Sequence, residues 1–127
     1  MSEFQNQSWY RKFANAFRGV RIVILTQKSF WIHLPVAILV FALAWWLQVS
    51  RTEGIILAVC VTIVLAAEML NTAIEFLSRK VTDEVSEHVK DSLDAAAGGV
   101  LVASMGSAII GLVILIPKLL DQLGFEI

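Results

Sequence analysis

Two carboxylates and an amide, Glu68, Asn71 and Glu75, stand at the end of an apolar run that begins near Gly54. A carboxylate inside a membrane helix costs at least about 2.5–3.5 kcal/mol on insertion scales, so it needs a partner or a job. At about 100° per residue the three side chains project within roughly 60° of one another on one helix face, with Thr72 at its edge. Such a face has to point at protein or at a wet crevice, not at lipid.

The rest of the chain agrees with a membrane setting. Hydrophobic residues make up 57% of 127 positions, too many for an ordinary soluble core and few enough positions for one domain. A net charge of -1 excludes a basic nucleic-acid binder, and neither basic–aromatic interleaving nor zinc-ligand spacing is present. Cys60 is the single cysteine, so an intrachain disulfide and a cysteine-based metal site are both ruled out, and its apolar neighbours mark an inert buried thiol. Arg11, Lys12, Arg18, Arg21 and Lys28 precede the first long apolar run with only Glu3 against them, which predicts a cytoplasmic N-terminus. That first run is too long, and lacks the small-residue cleavage site, for a secretory signal, so the whole chain reads as mature.

From Ser8 to Lys28, Trp9, Phe13, Phe17, Val20 and Ile24 recur at spacings of three and four with basic residues elsewhere on the wheel. This predicts an amphipathic helix lying in the membrane interface, packed on its own bundle, or both. Trp31 to Val49 reads as the first span, anchored by Trp31 and Trp45–Trp46, with Pro35 in its first turn and His33 as a local hydrogen bonder at the helix start. Gln48 to Glu53 is then a tight outer turn, and the second span, Gly54 to Leu77, returns to the cytoplasm with Glu68 to Glu75 in its cytoplasmic half. The polar segment Arg79 to Asp91, which includes Asp83 and Glu84, reads as a cytoplasmic connection with helical character. The third span, Ala95 to Leu120, is opened by Asp94 and carries Ala95, Gly99, Ala103, Ser107 and Gly111 at every fourth position, a pattern that lets another helix approach closely. Three spans form a thin wall around a polar site, so a homo-oligomer closing the site between protomers is expected.

No phosphate-binding loop, dinucleotide fingerprint, kinase catalytic loop or nucleophile elbow is present, so any site is built from helix side chains. Taken by themselves, boundary carboxylates serve equally to carry ions or protons, to bind a magnesium-nucleotide, or to cross-link helices.

Glu68-x-x-Asn71-Thr72-Ala73-Ile74-Glu75, followed nineteen residues after Glu75 by Asp94-Ala-Ala-Ala-Gly-Gly-Val-Leu, resembles the bacterial membrane-integral diacylglycerol kinase family. Arg18-Gly19, Gly111 and Pro117-Lys118 are closer to its undecaprenol kinase branch. The resemblance implies an all-α protein with an N-terminal surface helix and three spans, a homotrimer in the bacterial inner membrane. It also implies a kinase that uses magnesium (Mg2+) and ATP to phosphorylate a lipid alcohol, diacylglycerol or undecaprenol. By position, Glu68 is similar to the general base, Asn71 to the residue that orients it, Glu75 to a carboxylate holding the divalent ion on the ATP phosphates, and Asp94 to a nucleotide-site acid. Phosphoryl transfer asks mainly for charge neutralisation and placement of the attacking hydroxyl, and magnesium needs only one or two carboxylates plus phosphates, so the roles are physically consistent. The blander readings are a helix-to-helix hydrogen bond for Glu68, an ion pair with Arg79 for Glu75, and an N-cap of the third span for Asp94.

Three positions differ from the family pattern. Gln27 replaces a metal-binding glutamate, Arg79 an aspartate, and Leu93 a lysine. Glutamine is a weaker ligand for a hard cation, and leucine cannot contact phosphate. Arg79, one turn beyond Glu75 on the same face, is the expected substitute for the missing cation, with Lys90 as its rival. Two readings of other classes compete with the kinase: a non-catalytic relative that binds lipid or assembles partners, and a small proton-coupled transporter built around Glu68.

Overall fold

The computed structural model describes residues 8–81 and 86–125, and among these every regular element is an α-helix: α1 Trp9–Thr26, α2 Phe30–Trp46, α3 Arg51–Val81 and α4 Glu87–Gln122. Asp83 and Glu84, placed by the sequence reading in a cytoplasmic connection, lie outside the described residues, as does Glu3.

The Ser8 hydroxyl accepts the Arg11 N–H at 3.3 Å and caps α1. Its aromatic face is exposed at Trp9, Phe13 and Phe17, with the Lys12 ammonium 4.8 Å over the Trp9 ring, so α1 offers an apolar and basic flank to its surroundings. Only Val23, near its C-terminal end, is buried. Gln27 then takes an extended conformation and the chain bends by 102° into α2. The Trp31 indole N–H donates back to the Ile24 carbonyl at 3.1 Å, tying the two sides of the bend. An angle near a right angle lets one helix lie along an interface while the next crosses it.

α2 begins at Phe30, so Pro35 sits in its second turn and not, as the sequence suggested, in its first. The ring removes the N–H that would have met the Trp31 carbonyl one turn back. α2 ends in a Schellman arrangement: Val49 N–H donates to the Ala44 carbonyl at 3.1 Å and Gln48 N–H to Trp45 at 3.2 Å, with Gln48 in the left-handed region at φ 52°. Directly afterwards Ser50 and Glu53 form a reciprocal capping box, the Ser50 hydroxyl accepting Glu53 N–H at 3.1 Å and the Glu53 carboxylate accepting Ser50 N–H at 3.0 Å. The same carboxylate meets the Lys118 ammonium at 3.2 Å, which fastens α4 to the start of α3.

α3 and α4 run antiparallel, and both outlast the apolar layer. With 31 and 36 residues they are about 46 and 54 Å long, against a hydrocarbon core of about 30 Å. Since their Glu53–Lys118 ends are pinned together, the excess length projects at the opposite end, where Glu75, Arg79, Lys80, Lys90 and Asp94 stand on helix and not on a loop. The cap of α4 is Ser86, whose hydroxyl accepts Val89 N–H at 3.1 Å, so the expected N-cap at Asp94 is corrected: Asp94 lies two turns inside the helix. Helix propensity and cap chemistry set that start, whereas the apolar run sets only where lipid begins.

The core is narrow and uses small residues. Ala37 and Ala44 of α2 and Leu57, Cys60 and Val64 of α3 are buried in it, with Leu57 2% exposed and Cys60 a free buried thiol. From α4, the Ser107 hydroxyl donates to the Cys60 carbonyl at 3.3 Å. α4 buries no residue fully, and a Cβ added at Gly99 or Gly111 would meet nothing within 4 Å. The close approach expected along that small-residue stripe is therefore not made by these glycines within a single chain. α3 and α4 are each long and apolar enough to cross a membrane, and the bent pair α1–α2 brings the number of candidate spans to as many as three. This is a membrane protein.

Candidate active site

Glu68 is the most unusual residue of the core, a carboxylate 3% exposed on a helix that crosses the apolar layer. Its two oxygens are both engaged from α2. The Ser29 hydroxyl donates to Oε2 at 2.9 Å, and the His33 imidazole Nε2 lies 2.9 Å from Oε1. Ser29 and His33 are four residues apart, which puts them one above the other on the face that α2 turns to α3. The sequence reading gave His33 a local role, which the geometry corrects: its partner is on another helix. One turn further along α3, Thr72 is buried at 1% exposure, its hydroxyl satisfied by the Glu68 backbone carbonyl at 2.9 Å. This leaves the Glu68 carboxylate as the group whose burial has to be compensated across helices.

Asn71 and Glu75 are half-buried and form the next layer outward, the Asn71 Nδ2–H donating to Glu75 Oε1 at 3.1 Å. The carboxylate bonds on Glu68 come from Ser29 and His33, so Asn71 bears on Glu75 in this arrangement. Among the described residues Glu75 makes no ion pair with Arg79, whose guanidinium sits 5.5 Å over the Phe76 ring. Asp94 is exposed and meets Lys90 at 3.5 Å, one turn earlier on α4. Gln27 sits at the bend, where its backbone N–H closes α1 on the Val23 carbonyl at 2.9 Å. Leu93 is half-buried on α4.

Behind Glu68, toward the Glu53–Lys118 end, an apolar cavity of about 490 Å³ opens between α2, α3 and α4. His33, Ala37, Val64, Leu65, Ser104 and Leu115 are among its lining, and Ser104 Oγ is buried in it without a hydrogen-bond partner among the described residues. His33 thus touches both the carboxylate and the cavity. The chemistry on offer is a buried carboxylate bonded to an imidazole that also lines an apolar cleft, with a second carboxylate about 10 Å further along the same helix, seven residues on, toward the projecting charged end. No three His, Cys, Asp or Glu side chains gather as a metal-binding group among the described residues.

Ser29 and His33 are the site residues that sequence reasoning missed. Their signal was present in two polar residues at helical spacing at the very start of an apolar run, at a depth matching Glu68 on the antiparallel neighbour.

The family model described as prokaryotic diacylglycerol kinase matches residues 14–115. The chain is similar to the undecaprenol kinase of Bacillus subtilis, 34% identical over 111 residues that cover 87% of this chain and 90% of that protein. It is similar also to the diacylglycerol kinase of a Synechocystis species, 34% identical over 110 residues that cover 86% of this chain and 63% of that longer protein.

Proposed function

The chain belongs to the prokaryotic diacylglycerol kinase family, and from that premise we propose that it is an ATP-dependent lipid kinase that phosphorylates diacylglycerol or undecaprenol. The observation that carries the reading is Glu68, buried and held at both oxygens, one of them by the His33 that also lines the apolar cavity. A lipid alcohol with its chain in the cavity would bring its hydroxyl to this carboxylate. Glu68 takes the hydroxyl proton, the alcohol oxygen bonds to the γ-phosphorus of ATP, and the bond from that phosphorus to the β,γ-bridging oxygen breaks to release ADP. Burial keeps bulk water from Glu68, which favours transfer to the lipid over hydrolysis of ATP.

Glu75, Arg79 and Asp94 are assigned to the nucleotide end. Glu75, steadied by Asn71, would hold magnesium, which supplies neutralisation of the phosphate charge when bound. Arg79 extends from the same helix one turn nearer the charged end, suited to meet a phosphate oxygen. Asp94 stands opposite on α4, with Lys90 beside it. The assembly is a homotrimer in the bacterial cytoplasmic membrane, with the N-terminus and the projecting α3–α4 end in the cytoplasm.

The test is transfer of radiolabelled γ-phosphate to a panel of lipid alcohols by purified protein in detergent. Glu68→Gln is expected to lower transfer about 10²–10⁴-fold, the usual worth of a general base, while the melting temperature holds. Activity within a few-fold of wild type would remove Glu68 from the base role, and a protein that consumes no ATP with any lipid alcohol would be a non-catalytic relative.

A further inference from the structure

We infer that Ser29 and His33 are positioning residues that fix the orientation of the Glu68 carboxylate; the inference rests on Glu68 acting as the base of the proposed kinase. The terminal torsion of a glutamate is broad and ordinarily leaves the carboxylate plane free to turn. Here one donor meets each oxygen, both at 2.9 Å, one from the N-cap and one from the first turn of α2, which holds that plane in one setting. A carboxylate offers about four acceptor positions, so two remain for an incoming hydroxyl.

The Ser29 side chain is diverted to this task. It occupies the N-cap position of α2 with helical φ and ψ of -62° and -32°, and it makes no capping bond to its own helix. A serine there ordinarily satisfies one of the free N–H groups of the first turn, and in this chain its hydroxyl goes to Glu68 instead. His33 lines the cavity as well as touching Oε1, so the imidazole stands at the boundary between the base and the space where a lipid hydroxyl would arrive. With Glu68 3% exposed, bulk water does not replace a donor that is lost.

Misdirecting a base costs rate and leaves substrate binding intact, and a displacement of about 1 Å can cost about 10²-fold. His33→Ala is therefore expected to lower kcat about 10–100-fold with the KM values for ATP and lipid within about threefold of wild type. His33→Gln, whose side-chain amide N–H can reach the same oxygen, is expected to recover kcat to within about fivefold of wild type. Ser29→Ala is expected to lower kcat by a smaller factor, again at constant KM. A His33→Ala enzyme with unchanged kcat overturns the inference, as does a loss carried by KM, or a glutamine variant no better than alanine. The contact is read separately from activity by nitrogen-15 NMR of histidine-labelled protein in micelles, where Glu68→Gln is expected to move the His33 Nε2 resonance. An unmoved resonance overturns the clamp even in an inactive preparation. If the resonance moves and His33→Ala loses kcat while Glu68→Gln remains active, the base assignment fails and the inference falls with it, which separates that failure from a fault in the clamp alone.

Discussion

Arg79 stands one turn beyond Glu75 with its guanidinium over the Phe76 ring, and Lys90 leans on Asp94 across one turn of α4. The two cations are thus held in different ways. Stacking on a ring leaves the Arg79 N–H fork open to a phosphate, whereas the Lys90 ammonium is already shared with a carboxylate. Arg79→Ala is expected to raise the KM for ATP by tenfold or more, since a charged hydrogen bond contributes about 1.5–3 kcal/mol. Lys90→Ala, which removes an exposed pair of the kind typically worth about 0–1 kcal/mol, should move it by less than about fivefold. Steady-state kinetics on both variants decide, and an unaltered KM in Arg79→Ala rejects the phosphate role. At this scale the motif from Glu68 to Glu75 was legible because charge in an apolar run is costly wherever the chain goes. The partners of Glu68 were harder to read, because Ser29 lies 39 positions away and only the matching depth of two polar residues on an antiparallel helix points to them, not local periodicity. The Asn71–Glu75 bond spans four residues on one helix and was within reach of spacing alone.

The helices themselves were legible from hydrophobic runs, but their ends were not, because two different physical rules act there. Removal from water decides which residues lie in lipid, and caps and propensity decide where helical hydrogen bonding stops. α4 shows the difference, beginning at Glu87 behind the Ser86 cap although its apolar run starts near Ala95. α2 shows it again at its other end, where Gln48 supplies the left-handed residue of the turn at φ 52° although it is not a glycine. A side chain in that region costs roughly 1–2 kcal/mol. Gln48→Gly should therefore stabilise the protein by about 1 kcal/mol, read as a higher melting temperature in detergent, with kinase activity unaltered. No gain, or a loss, would mean that the Gln48 side chain contributes more to the turn than its backbone strain takes away.

For the molecule as a whole, the Glu53–Lys118 pair at one end and the projecting charged ends of α3 and α4 at the other give the site a direction. In a Cys60→Ala background, Thr52→Cys should react with an impermeant thiol reagent applied outside the cell, and Glu87→Cys should react only after permeabilisation. The reverse pattern would put Glu75 on the side that lacks ATP. The full-length absence of any buried residue on α4, together with the open Cβ positions at Gly99 and Gly111, leaves that helix to be covered by lipid or by another copy, in keeping with the proposed trimer.

The pinned Glu53–Lys118 end also serves as a ruler. Counting along α3 from the Glu53–Lys118 pair, Glu68 comes fifteen residues later, about 22 Å down the axis, and Glu75 about 33 Å down. Against a hydrocarbon layer of about 30 Å, Glu68, the proposed base, lies roughly one and a half turns short of the far boundary, while Glu75, the proposed magnesium ligand, is level with it or just beyond. The two reactants consequently need not share a depth. In the proposed reaction a neutral alcohol can remain dissolved among the acyl chains, a nucleotide can remain in water, and the reacting groups need bridge only the roughly 10 Å that one helix lays out between Glu68 and Glu75.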